Sequence, residues 1–274
     1  MSRPAPTQRL SVSEIRARKG DQKLVCLTAY SAPMAALVDP YVDMIFVGDS
    51  VGTVVHGLPS NTAVTLEMMI LHAQAVMRGS TRAVVVVDLP FGTYEQSSQA
   101  AYDSAVKLIR ASGCQAVKIE ATETTAPIIG FLSQRGIQVM GQIGLRPVAA
   151  SNTPPDPSIK GRQASERERA VKDARLAVQS GAFALVLDGV GRDVADFITR
   201  DVNVPTIGNG ASPDCDGQVL ITEDMLGVFE STPKFVRRYA DLRETISQAV
   251  NTFARDVRRG QFPSLSEIYI LRAG

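Results

Sequence analysis

The sequence predicts a single (β/α)8 barrel, the TIM-barrel fold in which eight parallel strands alternate with helices. Three observations favour this α/β fold: short β-branched runs recur along the chain, helical patterns separate them, and no shift in composition marks a domain boundary. With 274 residues, 45% of them hydrophobic, the chain is long enough to bury a core of this size. A doubly wound open sheet is the structural alternative.

The predicted strands are short apolar runs bounded by Gly, Pro or Asp. They are apolar on both faces, as the strands of a parallel sheet covered by helices must be. These runs occupy residues 24–28, 44–47, 83–87, 116–119, 137–140, 183–187, 204–207 and 225–229.

Helical periodicity separates several of these strands. The clearest helix follows Thr65, a predicted N-cap, and ends near Gly79. A second pattern ends before Gly113, and a third lies at 242–257. The pattern at 123–135 is weaker because a proline and a glycine interrupt it.

Two segments depart from this alternation. Residues 1–11 are polar, and the loop at about 145–164 contains too many prolines to form a continuous helix. Because this loop follows the fifth predicted strand, it should lie over the C-terminal face of the barrel, either as an active-site lid or as a tolerated surface insertion. We assign both segments to one domain spanning residues 1–274.

Composition narrows the class of protein. The 29 Lys and Arg residues balance 28 Asp and Glu residues, and a net charge of +1 gives no field that would attract nucleic acid or an anionic membrane. The 3 cysteines are widely spaced, which argues against disulfides and zinc sites. The sequence contains neither an apolar signal region nor a membrane-spanning run. We therefore expect a cytoplasmic protein with a small-molecule partner, and no nucleic-acid or membrane partner.

Acidic residues follow four of the predicted strands: Asp49, Asp88, Glu120 and Asp188. Each alone could be a helix N-cap or a turn residue. The first three come from consecutive strands, however, and in a barrel their carboxylates should converge on one rim. A hard cation would relieve their repulsion, and Mg2+ takes one or two carboxylates together with water and substrate oxygens. The sequence therefore predicts a Mg2+ site, whereas two histidines supply few nitrogen ligands for zinc.

Lys118 lies inside an apolar strand, two residues before Glu120. The period of a strand places both side chains on one face, which is the barrel interior if Val117 and Ile119 face the helices. A buried ammonium group needs a partner. Lys118 could form a structural ion pair with a carboxylate, or it could bind an anionic substrate.

Six short motifs add a family resemblance. They are Leu27-Thr28-Ala29-Tyr30, Val47-Gly48-Asp49-Ser50, Asp88-Leu89-Pro90-Phe91, Val117-Lys118-Ile119-Glu120, Gly144-Leu145-Arg146-Pro147 and Asp216-Gly217-Gln218. In order and spacing the chain resembles the ketopantoate hydroxymethyltransferase family over about residues 12–263. The resemblance implies a (β/α)8 barrel, usually a homodecamer, that transfers a hydroxymethyl group from 5,10-methylenetetrahydrofolate to α-ketoisovalerate (3-methyl-2-oxobutanoate) in pantothenate biosynthesis.

The resemblance also implies a role for each matched residue of the metal site. Asp49, Asp88 and Glu120 would organise Mg2+, with Asp49 as the most direct ligand. Asp188 occupies the position of the family's catalytic base, which is a glutamate, so the base here is one methylene shorter. The implied partners are a 2-oxo acid and a reduced folate as co-substrate.

The substrate-binding residues follow from the same resemblance. Ser50 and Lys118 would hold the carboxylate and keto group of the substrate, and Tyr30 would line the pocket. Gln142 stands where the family has a histidine; it keeps hydrogen-bonding capacity at the substrate site but cannot change charge near neutral pH.

Further departures from the family leave two alternatives open. The glycine-rich turn after the seventh strand reads Gly208-Asn209-Gly210-Ala211-Ser212, and the lid is rich in proline. Together with Asp188 and Gln142, these departures are compatible with an aldolase or lyase that acts on a different 2-oxo acid. They are also compatible with a catalytically weak paralogue that binds without turnover.

Overall fold

The structure, a computed structural model, describes residues 8–144 and 164–269. The chain divides into two compact units, the barrel unit Met1–Ile221 and the C-terminal unit Thr222–Gly274. The predicted lid lies outside the described residues except for its last position, Ala164, and so does most of the polar segment at 1–11. The assignment of the whole chain to one domain stays a prediction.

The barrel unit contains a closed barrel of eight parallel strands in chain order, with β8 paired to β1. This confirms the predicted fold class and rules out the doubly wound sheet. The strands are β1 Leu24–Thr28, β2 Met44–Val47, β3 Val84–Asp88, β4 Ala116–Glu120, β5 Val139–Gly144, β6 Ala184–Asp188, β7 Thr206–Asn209 and β8 Gly217–Leu220.

Helices alternate with these strands. In the barrel unit they are α1 Val12–Ala17, α2 Ala32–Val38, α3 Val51–Val54, α4 Leu66–Gly79, α5 Ser98–Ser112, α6 Ala126–Ser133, α7 Ala164–Gln179 and α8 Arg192–Asp201. Helix α4 begins as predicted, since the Thr65 side chain accepts a hydrogen bond from the Met68 N–H. The proline that weakened the pattern at 123–135 stands in the first turn of α6, where its missing N–H costs nothing.

The eighth strand was predicted in the wrong place. Residues 225–229 do not form a strand; their first residue ends a short helix, α9 Thr222–Met225, and Gly227 has a φ of 70°. A positive φ of this kind belongs to turns and not to extended chain. The strand lies earlier, at β8, where a glycine and the exposed Gln218 break up the apolar run.

The interior of the barrel changes from apolar to polar along the strands. Alternate residues of β3 to β6 pack into one buried interior cluster, among them Val86, Ala116, Met140 and Val186. Continuing the same period of two brings polar side chains inward at the carboxyl ends of these strands. Val117 and Ile119 pack in the other cluster, between sheet and helices, as the sequence predicts. A polar site therefore forms on top of an apolar core.

Asp216 closes the opposite end of the barrel. Its carboxylate accepts hydrogen bonds from Lys19 Nζ at 2.9 Å, the Gly20 N–H at 2.9 Å, and the Thr206 N–H at 2.8 Å. These donors belong to the segment before β1 and to the start of β7. Asp216, part of a family motif, thus has a structural role at the amino ends of the strands.

Asp39 supports the same end of the barrel and gives a test of the fold. It accepts hydrogen bonds from Ser80 Oγ at 2.6 Å and from the N–H groups of Thr81, Arg82 and Ala83 at 2.9 Å each. Burial opposes ionisation, but these donors outweigh it and hold the pKa of Asp39 below its usual value.

We expect Asp39→Asn to lower the free energy of unfolding at pH 7 by about 3 kcal/mol, because the amide cannot satisfy all of these donors. A carboxyl group with a lowered pKa stabilises the fold above its unfolded pKa and loses this effect as the pH falls. Urea denaturation should therefore show a smaller cost at about pH 3, below the unfolded pKa of an aspartate, than at pH 7. The exposed Asp103 offers a control: Asp103→Asn should cost little at either pH.

The C-terminal unit contains α9 and the long helix α10 Leu242–Arg258. The Asp241 side chain caps α10 by accepting a hydrogen bond from the Glu244 N–H at 3.2 Å. This helix confirms the periodicity predicted for residues 242–257. Of the helices that the structure describes, none combines the length and apolar character needed to cross a membrane.

Candidate active site

A polar cavity of about 330 Å3 opens at the carboxyl ends of the strands. It contains Lys118, Gln142 and the four acidic residues that the sequence places after strands. Its lining includes Asp49, Thr53, Pro59, Ser60, Asn61, Thr62, Asp88, Leu89, Phe91, Tyr94, Lys118, Ile119, Glu120, Gln142 and Asp188. The βα end of a barrel is where enzymes of this fold hold their catalytic groups.

A chain of polar contacts crosses the cavity from β3 to β7. Lys118 Nζ lies 3.1 Å from Asp88 Oδ2 and also donates to Gln142 Oε1. Gln142 Nε2 donates to Asp188 Oδ2 at 3.2 Å, and Asn209 Nδ2 donates to Asp188 Oδ1 at 2.9 Å. Five neighbouring strands therefore contribute one polar group each to a single connected network.

Strand β5 comes close to Asp188 because it ends in a glycine. Gly144 is the register partner of Asp188 and has a φ of 123°. A side chain at this position would collide with the carbonyl oxygen of Asp188. Only glycine combines this φ with such close approach of two strands.

Burial and neighbouring charges shift the pKa values of Asp188 and Lys118 in this network. Burial raises the pKa of Asp188 to about 6, although Lys118 and the hydrogen bond from Asn209 act in the other direction. Burial would lower the pKa of Lys118, but the carboxylates of Asp88 and Asp49 outweigh it and raise the pKa. Lys118 is therefore an ammonium group at neutral pH, and Asp188 is a carboxylate that can take up a proton close to that pH.

A second carboxylate with a raised pKa lies on the other side of Asp88. The Asp49 N–H donates to Asp88 Oδ2 at 3.1 Å, and Asn61 Nδ2 donates to Asp49 Oδ1 at 3.3 Å. Burial, and after it the charge of Asp88, raises the pKa of Asp49 to about 6. A cation bound beside Asp88 would offset the repulsion that opposes ionisation of Asp49.

The donor set around Asp88 fits a hard cation. Asp88 Oδ1 and Asn61 Oδ1 are buried atoms that have no hydrogen-bond partner within the described part of the chain. Buried oxygens in this state are unfavourable unless a donor or a cation satisfies them. Across residues 8–144 and 164–269, no three His, Cys, Asp or Glu side chains are grouped tightly enough to hold a metal alone. Mg2+ does not require such a group, because water and substrate oxygens complete its shell.

Glu120, the third predicted ligand, lies at the end of β4 and lines the cavity. Its N–H donates to the hydroxyl oxygen of Tyr94 at 3.3 Å. Burial and the charge of Glu120 raise the pKa of Tyr94 above its usual value, so that Tyr94 stays a neutral phenol. The ligand roles of Asp49, Asp88 and Glu120 stay predictions.

Ser50 and Tyr30 do not belong to the cavity lining formed by the described residues. Their hydroxyl groups lie 2.7 Å apart and hydrogen-bond to each other. Ser50 follows Asp49 directly, and the carbonyl oxygen of Tyr30 accepts a hydrogen bond from His72 Nδ1 at 2.7 Å. The pair therefore lies next to the carboxylates, and its role in substrate binding stays a prediction.

Sequence reasoning missed three residues of this site: Asn61, Tyr94 and Asn209. Asn61 and Tyr94 come from the loops after β2 and β3 and carry no local signal. Asn209 was read only as part of a glycine-rich turn, yet it ends β7 as the register partner of Asp188. The strand-end rule that found the four acids would also have found Asn209 if amides had been considered.

Comparison with known proteins agrees with these features. A sequence profile of the family described as ketopantoate hydroxymethyltransferase matches residues 9–265. The 3-methyl-2-oxobutanoate hydroxymethyltransferase of Hyphomonas neptunium is 54% identical over 272 residues, which cover 99% of this chain and 98% of that protein. The protein of the same name from Phenylobacterium zucineum is 53% identical, with 99% of this chain and 98% of that protein covered.

Solved structures show a more distant likeness. Phosphonopyruvate hydrolase in complex with oxalate and Mg2+ is 13% identical, with a TM-score of 0.60 over 94% of this chain and 93% of that chain. For 2,3-dimethylmalate lyase, a member of the PEP mutase/isocitrate lyase superfamily, the identity is 16% and the TM-score 0.59, over 94% and 88% of the chains. At such low identity this likeness shows the fold alone.

Proposed function

Since the chain belongs to the ketopantoate hydroxymethyltransferase family, we propose that it transfers a hydroxymethyl group from 5,10-methylenetetrahydrofolate to 3-methyl-2-oxobutanoate. The 2-oxo acid loses the proton on C3, and C3 forms a bond to the one-carbon unit of the folate. Water supplies the hydroxyl group, so that ketopantoate and tetrahydrofolate are the products. This reaction is a step of pantothenate biosynthesis.

The observation that carries the proposal is the state of Asp188. Its carboxylate is buried in the same cavity as Lys118, Asp49 and Asp88, and its pKa is raised to about 6. A general base works best when its pKa lies near the working pH, because it is then both ionised and basic. Asp188 is therefore suited to take the C3 proton onto a carboxylate oxygen and to release it afterwards.

Among the described residues that line the cavity, Lys118 carries the positive charge, and it would bind the anionic substrate. Its ammonium group is held at the strand end by Asp88 and Gln142, so it needs little reorganisation to meet a carboxylate or keto oxygen. Ser50 and Tyr30 would orient the same substrate from the neighbouring loop. Gln142 would contact the substrate with its amide while it donates to Asp188 Oδ2, which leaves Asp188 open to C3.

Asp49 and Asp88 are the residues best suited to hold Mg2+, with Glu120 at the same rim. When bound, the cation would supply positive charge opposite the oxygens of the 2-oxo acid and thereby make the proton on C3 easier to remove. The two residues themselves keep the site anionic: Asp88 offers a buried oxygen without a partner among the described residues, and Asp49 lies beside it.

Removal of Mg2+ tests this function. We expect chelation to lower the rate of ketopantoate formation by about 100-fold or more, because the negative charge that develops on the substrate loses its counter-charge. Mass spectrometry of the product, from purified protein and both substrates, measures the rate before and after Mg2+ is returned.

Two variants sharpen the same experiment. Asp49→Asn should raise the Mg2+ concentration needed for half the maximal rate by about tenfold or more, since a neutral oxygen binds a hard cation more weakly. Asp103→Asn, an identical change on the exposed face of α5, should leave it unaltered. Equal rates of product formation with chelator and with Mg2+ would rule out the metal role.

For the assembly and the location of the protein, only expectations from the sequence and its family resemblance are at hand. The family resemblance implies a homodecamer and a reduced folate as the second substrate. Both stay predictions, as does the expected cytoplasmic location.

A further inference from the structure

Asp188 receives a hydrogen bond on each oxygen from a side-chain amide. Asn209 Nδ2 donates to Oδ1 at 2.9 Å, and Gln142 Nε2 donates to Oδ2 at 3.2 Å. The two amides come from different sides, because β5 and β7 flank β6 in the barrel. The carboxylate is thus held between them at the end of its strand.

A further contact orients the amide of Gln142, and the strand pairing places Asn209 next to Asp188. Gln142 Oε1 accepts a hydrogen bond from Lys118, so its amide nitrogen must face Asp188. Asn209 is the register partner of Asp188, and the backbone of Gly189 donates to the Asn209 carbonyl oxygen at 3.0 Å. The Gln142 donor cannot turn away from Asp188 without loss of the contact between Gln142 Oε1 and Lys118, and the backbone pairing places Asn209 beside Asp188 at the end of β7.

We propose that Asn209 and Gln142 are positioning residues that fix the Asp188 carboxylate in place and favour its ionised form. The inference rests on the proposed role of Asp188 as the base. It adds Asn209 to the site and gives Gln142 a second task besides substrate binding. A short base gains most from such support, because an aspartate cannot reach as far as the family's glutamate.

Charged groups on β3 and β4 and after β2 act on Asp188. Lys118 on β4 favours the carboxylate, whereas Asp88 on β3 opposes it, and Asp49 after β2 interacts with the same group. Strands β5 and β7 contribute only the neutral amides. Loss of one amide donor therefore leaves the charges unchanged and alters only the hydrogen bonding of Asp188.

The pH dependence of turnover tests this proposal. Asn209→Leu removes the donor at similar size, and the acid limb of kcat should move up by about one pH unit, while KM for the 2-oxo acid stays within about twofold. Asn209→Asp places a like charge against Asp188 and should move the limb further. Gln218→Leu, a polar-to-apolar change on the neighbouring strand β8, should leave the limb in its wild-type position.

A stability measurement tests the same contact without any catalysis. Burial raises the pKa of Asp188, and loss of Asn209 would raise this pKa further. Ionising Asp188 in the folded state should therefore cost more free energy in the variant than in wild type. Between pH 5 and pH 8, the unfolding equilibrium constant of Asn209→Leu should therefore rise by about tenfold more than that of wild type. For Gln218→Leu the difference from wild type should not depend on pH.

The two measurements separate failure of the inference from failure of the proposed function. An acid limb and a stability difference that Asn209→Leu leaves unchanged would overturn the inference, even if the wild-type protein makes ketopantoate. A wild-type protein without turnover would reject the proposed function, and the pH dependence of stability would still decide whether Asn209 controls the ionisation of Asp188.

Discussion

Asp188→Asn is expected to lower kcat for ketopantoate formation by about 1,000-fold, the largest effect of any single change considered for this protein. Asparagine has nearly the same size as aspartate but cannot accept the C3 proton. KM for the 2-oxo acid should change little, because Lys118 and not Asp188 is the group proposed to bind the substrate. Steady-state kinetics at pH 7 with saturating Mg2+ and folate measures both constants.

The control for this prediction is the same change outside the cavity. Asp201 ends α8 and pairs with Arg175 Nε at 2.7 Å, and Asp201→Asn should leave kcat within about twofold of wild type. If Asp188→Asn also kept kcat within about tenfold of wild type, Asp188 would not be the base.

Lys118→Met should have the second largest effect, and it should act on both binding and stability. We expect KM for the 2-oxo acid to rise by about 100-fold, since truncating a desolvated charge partner costs several kcal/mol. The free energy of unfolding should fall by about 3 kcal/mol, because the variant leaves Asp88 buried without its cation. The two side chains are only 11% and 8% exposed, so solvent screens the pair weakly.

Lys107 provides a matched control for this prediction. Its Nζ lies 2.6 Å from Glu67 Oε1, but both side chains are more than half exposed, at 56% and 65%. Lys107→Met should therefore change the free energy of unfolding by less than about 1 kcal/mol and leave KM unaltered. Similar losses of stability in the two variants would show that burial of the Lys118–Asp88 pair does not increase its contribution to the free energy of unfolding.

The period of two in the strands explains why much of the site could be predicted from sequence. In β4 the order Val117, Lys118, Ile119, Glu120 alternates between the two faces, and the structure has the apolar pair on the helix side. The same rule brought Asp88 and Asp188 to the rim. The search for short apolar runs failed for the eighth strand, because Gly217 and Gln218 interrupt its apolar pattern and the more apolar run at 225–229 forms a turn.

The partners of these residues could not be predicted, because they depend on strand register. Glu120 is opposite Gln142 and Asp188 is opposite Asn209 only when β4 to β7 pair as they do. A shift by one residue would turn each of these side chains to the other face. Asn61 is still less predictable, since it begins a short 3-10 helix between α3 and α4 that brings it to Asp49.

The departures from the family pattern meet at one point of the structure. By the sequence resemblance, Asp188 stands where the family has a glutamate and Gln142 where it has a histidine. Both lie in one hydrogen-bonded network with Asn209. This arrangement supports an adapted base and argues against a site that has lost its function. Asp188→Glu together with Gln142→His should then bring no large gain in kcat, whereas a catalytically weak paralogue would gain strongly.

The most direct test of the account is the exchange of the C3 proton of 3-methyl-2-oxobutanoate in D2O, followed by NMR without folate. Wild-type protein with Mg2+ should catalyse the exchange, Asp188→Asn should lose it, and Asp201→Asn should retain it. Exchange at the wild-type rate by Asp188→Asn, or product formation without any catalysed exchange or primary isotope effect at C3, would contradict the role of Asp188 as the base.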